Sequence, residues 1–80
     1  MDSYTPTIKA PNIQPGMVLA FGGEFVEEAN VFLSDAEVIS VQAPAPGTSD
    51  PYMLLVSPED GFVPELLVSV NAWRALEIVG

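Results

Sequence analysis

The sequence YMLLVSPEDGFVPELLVSV, residues 52–70, predicts two β-strands joined by a turn. Residues 52–56 and 65–70 are short, mainly apolar runs, and turn-forming residues bound them. Between them, Pro58 suits the second position of a type I turn, and Gly61 supplies a left-handed residue that returns the chain. This segment predicts an antiparallel hairpin at the centre of the fold.

Short apolar runs and turn residues also alternate on the N-terminal side of this hairpin. Residues 17–21 and 37–41 predict strands, and residues 31–33 form a short apolar run. Gly22-Gly23 predicts a two-residue hairpin whose return strand is residues 24–26.

Turn and loop signals separate these runs. Pro15-Gly16 predicts a tight turn, because proline fixes φ at the second position and glycine accepts a positive φ at the third. Ser34-Asp35 also predicts a turn, and residues 27–30 predict either a helical turn or a loop. Residues 43–51 contain three prolines, so they predict a semi-rigid loop in polyproline geometry.

The C-terminal part has two possible interpretations. Residues 74–79 alternate and predict a last strand, preceded by a short 3₁₀ turn over residues 71–73. Alternatively, Asn71 caps a helix that runs to Leu76. The strand interpretation is favoured, since residues 78–80 follow too soon for a stable helix.

Five or six short strands, with turns every ~8–12 residues, are typical of a small barrel or sandwich. We therefore predict an all-β fold, a compact antiparallel β-barrel with at most a short 3₁₀ or one-turn helix. Residues 1–12 are predicted to be a flexible N-terminal arm, with a short extended piece over residues 7–9, and residues 13–80 a single small β-domain. The predicted core consists of Val18, Phe21, Val38, Val41, Leu54, Val56, Leu66, Val68, Trp73 and Ile78.

Two features of this pattern resemble SH3-like barrels. The segment Ile13-Gln14-Pro15-Gly16-Met17-Val18 is similar to the entry of many such barrels, and the order strand, 3₁₀ turn, strand over residues 66–79 is similar to their C-terminal end. Small uncharacterised proteins of tailed phages share the pattern. The resemblance covers residues 13–79 and implies an SH3-like fold and a phage origin, but it carries no functional residues.

The charge of the chain limits its function more than any motif does. Eleven Asp and Glu residues face two basic ones, Lys9 and Arg74, which gives a net charge of -9. Nucleic acid and anionic membranes are therefore not expected as direct partners, because both repel an acidic surface. A protein with a basic surface is the expected partner. The oligomeric state is left open.

Catalytic and metal-binding chemistry have few candidate residues. The chain has no His and no Cys, so its serines lack an ordinary base and thiolate metal sites are ruled out. The adjacent carboxylate pairs, Glu27-Glu28 and Glu59-Asp60, fall in predicted turns, where solvated carboxylates are usual. We therefore expect no enzyme, no cofactor and no metal site.

Two acidic groups are the candidate partner-binding residues, and Phe62 beside a predicted turn is the best candidate for an exposed apolar contact. The first group lies within fourteen residues and the second follows the predicted turn at Pro58. The candidate residues are Glu24, Glu27, Glu28, Asp35, Glu37, Glu59, Asp60, Phe62 and Glu65.

These observations predict a non-enzymatic, acidic protein-binding module. In one version its carboxylates imitate nucleic-acid phosphates and occlude a basic host protein; in the other it is a structural accessory that docks on a virion. A small regulatory or toxin-neutralising bacterial protein is a third possibility, and a surface that is acidic only for solubility is the plainest one. The N-terminus shows neither the basic region nor the apolar run of a signal peptide, so the expected location is the cytoplasm of a host cell, or the virion.

Overall fold

Six antiparallel strands form one sheet in the computed structural model, which describes residues 6–59 and 63–79. The strands follow one another in the order β1-β6-β2-β3-β4-β5. Their bounds are β1 Thr7–Lys9, β2 Val18–Val26, β3 Val31–Gln42, β4 Tyr52–Pro58, β5 Leu66–Val70 and β6 Ala75–Ile78, with one 3₁₀ helix over Ala10–Asn12. The predicted all-β fold is confirmed.

The hydrophobic core lies on one face of this sheet. In β5, buried and exposed residues alternate strictly, as expected of a strand with one face in the core. Among the described residues no α-helix and no second sheet covers that face. The sheet must therefore coil so that its own strands cover one another, which is how a small barrel buries its interior.

Most of the predicted core is confirmed. Six of the ten predicted residues are buried: Phe21, Val38, Leu54, Val56, Leu66 and Val68. Val18, Val41 and Ile78 are half-buried. The prediction for Trp73 is wrong, because its side chain is 73% exposed.

The exposure of Trp73 follows from the turn that carries it. The Arg74 N–H donates a hydrogen bond to the Asn71 carbonyl at 3.0 Å, which closes a turn between β5 and β6. Its hydrogen bond joins residues three apart, as in the short 3₁₀ turn predicted at residues 71–73, and the alternative helix from Asn71 does not form. Because the turn lies outside the paired part of the sheet, Trp73 points away from the core.

The predicted hairpin at Gly22-Gly23 is wrong. Both glycines lie inside β2, where the register with β3 shifts between Ala20 and Glu24. Their φ angles are 71° and 79°, a conformation that residues with a Cβ rarely adopt. The two glycines therefore form a bulge that redirects the second half of β2, instead of reversing the chain.

The hairpin that does connect β2 to β3 lies at residues 27–30. The Asn30 N–H donates to the Glu27 carbonyl at 3.2 Å, and Asn30 takes a φ of 55°. Asparagine tolerates this left-handed conformation better than other residues with a Cβ. Of the two interpretations of this segment, the loop is the observed one.

The predicted turn at Ser34-Asp35 is also wrong, since both residues lie within the twelve-residue strand β3. The first half of β3 pairs with β2, and its second half pairs with β4. A register shift between Val38 and Ser40 leaves Ile39 as an extra, exposed residue. Such a bulge increases the local twist, which helps one long strand to pair with β2 in its first half and with β4 in its second half.

The Pro15-Gly16 turn is confirmed. The Met17 N–H donates to the Gln14 carbonyl at 3.3 Å, and Gly16 has a φ of 97°. Gly16 then donates its N–H to the Val38 carbonyl at 2.8 Å. The turn thus aligns the start of β2 with the middle of β3.

Part of the predicted N-terminal arm belongs to the domain. Thr7–Lys9 forms β1 and pairs with β6, and Ala10 and Ile13 are buried. The structure therefore places residues 7–12 against the sheet. Residues 1–5 lie outside the described residues.

The turn predicted after β4 begins later than expected. Pro58 is the last residue of β4 and is buried, and the chain turns at Glu59. Pairing with β5 ends at Val56, so the missing N–H of Pro58 breaks no ladder on that side. Residues 43–51 form the predicted proline-rich loop, in which the Thr48 hydroxyl donates to the Ala45 carbonyl at 2.8 Å.

Candidate functional site

Three carboxylates lie at the end of the β2–β3 hairpin, and all three line a groove. Glu24 lies on β2 just after the bulge, and Glu27 and Glu28 lie in the turn that follows. All three side chains are exposed. We call this region, residues 24–28, the acidic hairpin end.

Two exposed phenylalanines lie beside these carboxylates. Phe25 and Phe32 face each other across β2 and β3, with ring centroids 5.0 Å apart and planes tilted by 53°. Phe25 is 45% exposed and Phe32 is 68% exposed, whereas their neighbours Val26 and Leu33 are buried. The hairpin thus presents an apolar pair on its outer face, and aromatic side chains of this kind are enriched where proteins bind one another.

An ion pair connects the acidic hairpin end to the turn before β6. The Arg74 guanidinium donates to a Glu24 carboxylate oxygen at 2.5 Å, with side-chain exposures of 31% and 41%. Trp73, which is the most exposed large apolar residue in the part of the chain that the structure describes, immediately precedes Arg74. The ion pair therefore brings one of the two basic residues of the chain, and the Trp73 turn, next to the acidic hairpin end.

A groove of about 480 Å³ separates the acidic hairpin end from strands β4 and β5. Residues 24–28 line one side, and Met53, Leu67, Val68 and Ser69 line the other. Leu67 is 54% exposed. The groove therefore has three glutamates on one wall and mainly apolar residues on the opposite wall.

The remaining predicted residues do not join this groove. Asp35 and Glu37 lie two residues apart on β3, so they share the face opposite the buried Ala36. The Glu59 N–H donates to the Asp35 carbonyl at 2.9 Å, which brings Glu59 close to this pair. Glu65 is exposed just before β5. The sheet thus separates the predicted group 24–37 into two acidic regions.

Two predicted contact residues, Asp60 and Phe62, lie outside the described residues. The sequence did not identify the exposed Phe25 and Phe32 at or beside the groove, since Phe62 was the only aromatic residue predicted to make an exposed contact. Strand alternation was the available signal: Phe25 and Phe32 each adjoin a residue that enters the core, Val26 and Leu33.

The described residues contain no group of three or more Asp or Glu side chains placed to hold a metal ion. No described helix is long and apolar enough to cross a membrane. Comparisons with protein-family models, curated proteins and solved structures found no match to the chain.

Proposed function

We propose that the protein is a non-enzymatic, acidic protein-binding module that engages the basic surface of another protein through its acidic hairpin end. The observation that supports this proposal is the combination of Glu27 and Glu28 with the exposed Phe25–Phe32 pair. Protein-binding surfaces commonly place apolar side chains at the centre and polar ones at the rim. Here the rim is acidic, so the partner is basic.

The charge of the whole chain supports the same partner. With a net charge of -9, the field of the protein attracts basic surfaces and accelerates their encounter. A nucleic-acid-binding protein has such a surface, because it neutralises phosphates with Lys and Arg. We propose that this module occludes a surface of that kind on a host protein. The phage origin implied by the SH3-like resemblance remains a prediction.

A structural accessory that docks on a larger assembly, such as a virion, is the second candidate function. It is favoured by the large apolar side chains that the surface exposes, namely Phe32, Leu67 and Trp73. Docking of this kind depends on apolar burial more than on charge. The two candidates therefore differ in which substitutions abolish binding.

The experiment that separates them measures capture of partners from a host lysate by three variants. Glu27→Lys combined with Glu28→Lys reverses two charges at the acidic hairpin end. Asp50→Lys combined with Glu77→Lys makes the same change in net charge at exposed positions outside the groove. Phe25→Ser combined with Phe32→Ser removes the apolar pair without changing the charge.

If the protein occludes a basic partner, the Glu27/Glu28 variant should associate about ten-fold more slowly at low salt, and the difference should shrink at high salt. The Asp50/Glu77 variant should retain most of the binding. If the protein is a structural accessory, the Phe25/Phe32 variant alone should lose binding, at both salt concentrations. Equal binding by wild type and the Glu27/Glu28 variant would refute occlusion through this surface.

A further inference from the structure

Within residues 6–59 and 63–79, strand β5 is an open edge of the sheet. Leu66–Val70 pairs with β4, and among the described residues no strand pairs with its other side. No described backbone hydrogen bond outside the β4–β5 ladder reaches residues 66–70. Alternate N–H and C=O groups of β5 therefore face the space beside it, in the arrangement that accepts an additional strand.

The strand at the opposite edge of the sheet, β1, is protected from pairing with an additional strand. β1 has only three residues, it contains Lys9, and prolines precede and follow it at positions 6 and 11. Short length, lysine and proline are the devices by which proteins protect an edge from pairing. β5, with the sequence LLVSV, is longer and contains neither lysine nor proline, although Pro64 lies two residues before it.

Strand β5, together with Met53 of β4, lines the groove. Leu67, Val68 and Ser69 of β5 form one wall, and the acidic hairpin end forms the other. A volume of about 480 Å³ falls within the range of protein ligand sites, ~300–1,000 Å³. The bulge at Gly22-Gly23 directs β2 so that its end lies across the groove from β5 without pairing with it.

We propose that an extended, basic segment of the partner protein binds in this groove as a seventh strand, paired with β5. This inference rests on the proposed function and specifies how the partner is held. The backbone of the segment satisfies the free edge of β5, and its Lys or Arg side chains face Glu27 and Glu28. Its apolar side chains contact Leu67 and Phe25.

Charge complementarity favours a basic segment over a second copy of this chain as the occupant. Two β5 edges pairing with each other would bring two acidic hairpin ends close together on chains that each carry a net charge of -9. Like charges disfavour such an encounter. Of the residues that line the groove, three are Glu and none is basic, so a basic segment is the complementary ligand.

The test uses the full chain and a fluorescein-labelled peptide, long enough to span β5, in which lysine and valine alternate. Three peptides are compared by fluorescence anisotropy: this one, the same peptide methylated on all its backbone amides, and one in which glutamate replaces lysine. Methylation keeps the charge but removes the donors that pair with a strand. We expect the methylated peptide to bind at least about ten-fold more weakly, since several hydrogen bonds are lost, and the glutamate peptide not to bind.

Two variants test whether the peptide binds at β5. Leu67→Lys places a charge on the exposed face of β5, and Thr7→Lys makes the same change in charge on the other edge strand. We expect Leu67→Lys to weaken binding of the lysine–valine peptide about five-fold or more, and Thr7→Lys to leave it nearly unchanged. Amide hydrogen exchange followed by NMR should show new protection at alternate residues of β5 and none in β1.

Three results would overturn strand pairing at β5: no binding of the lysine–valine peptide, equal binding of the methylated peptide, or unchanged exchange in β5. If the methylated peptide binds as well as the unmodified one and both depend on Glu27 and Glu28, the acidic surface binds basic ligands without adding a strand. In that case the proposed function stands and this inference fails. Loss of the charge dependence itself, measured with the Glu27/Glu28 variant, would instead refute the proposed function.

Discussion

The left-handed bulge in β2 can be tested by adding a single methyl group. An alanine at Gly22 or Gly23 must adopt φ near 71° or 79°, which costs about 1–2 kcal/mol for a residue with a Cβ. A Cβ built at either position meets no atom within 4 Å, so no steric contact adds to this cost. We therefore expect each substitution to lower the free energy of unfolding by about 1–2 kcal/mol.

That loss is large for a domain of this size. At ~0.05–0.15 kcal/mol per residue, the 80-residue chain should be stable by about 4–12 kcal/mol in total. With a urea m-value near 1 kcal/mol/M, the unfolding midpoint should fall by about 1–2 M for each variant. Far-ultraviolet circular dichroism is the suitable probe, because Trp73 is 73% exposed and its fluorescence should change little on unfolding.

Two further variants test whether the loss of stability comes from the backbone conformation of the bulge. Gly23→Asn should cost less than Gly23→Ala, because asparagine tolerates a positive φ, as Asn30 does at 55° in the adjoining hairpin. Ser34→Ala changes an exposed position of the neighbouring strand and should shift the midpoint little. If Gly22→Ala and Gly23→Ala both unfold at the same urea concentration as wild type, β2 does not contain this left-handed bulge.

Leu54 is fully buried on β4, so Leu54→Ala should destabilise the protein by about 2–5 kcal/mol, whereas Trp73→Ala should stay within about 0.5 kcal/mol; thermal unfolding of both variants checks this. The ion pair between Arg74 and Glu24 is partly exposed, so a double-mutant cycle to alanine should give a coupling below about 1 kcal/mol that decreases with added salt. Deleting residues 1–9 removes β1 and uncovers β6, so it should lower the urea midpoint and speed amide exchange in β6; unchanged exchange would contradict the β1–β6 pairing.

The parts of the fold that follow from local chemistry could be predicted from the sequence. The turn at Pro15-Gly16 needs only a fixed φ followed by a positive one, and these two residues supply both. The strand at residues 66–70 shows the alternation of a half-buried strand within its own sequence. Neither element depends on a distant partner, so the local pattern was sufficient.

Features decided by a distant strand could not be predicted in this way. Gly22-Gly23 supplies the same positive φ angles to a hairpin and to a bulge, and only the pairing with β3 selects the bulge. Trp73 is predicted in the core because it is large and apolar, but the sheet fills its interior with residues from β2 to β6 and with Ala10 and Ile13, and the turn stays outside.

The candidate site likewise has one feature that the local sequence predicts and another that only the folded sheet creates. Glu27 and Glu28 could be identified from charge alone, since any exposed turn displays its carboxylates. Their position opposite Leu67 could not, because the two walls of the groove are about forty residues apart in sequence and meet only when the sheet coils. Grouping acidic residues by sequence distance also joined Glu37 to a cluster from which the strand geometry separates it.

The pairing of Thr7 with Glu77 has a consequence for the order in which the sheet assembles. Strands β2, β3, β4 and β5 are each paired with their neighbour in sequence, whereas β1 joins β6 from almost the other end of the chain. Closing so long a loop costs more entropy than closing the short ones, and non-local pairings slow folding. The four-strand meander should therefore form first and recruit β6, with β1 joining last.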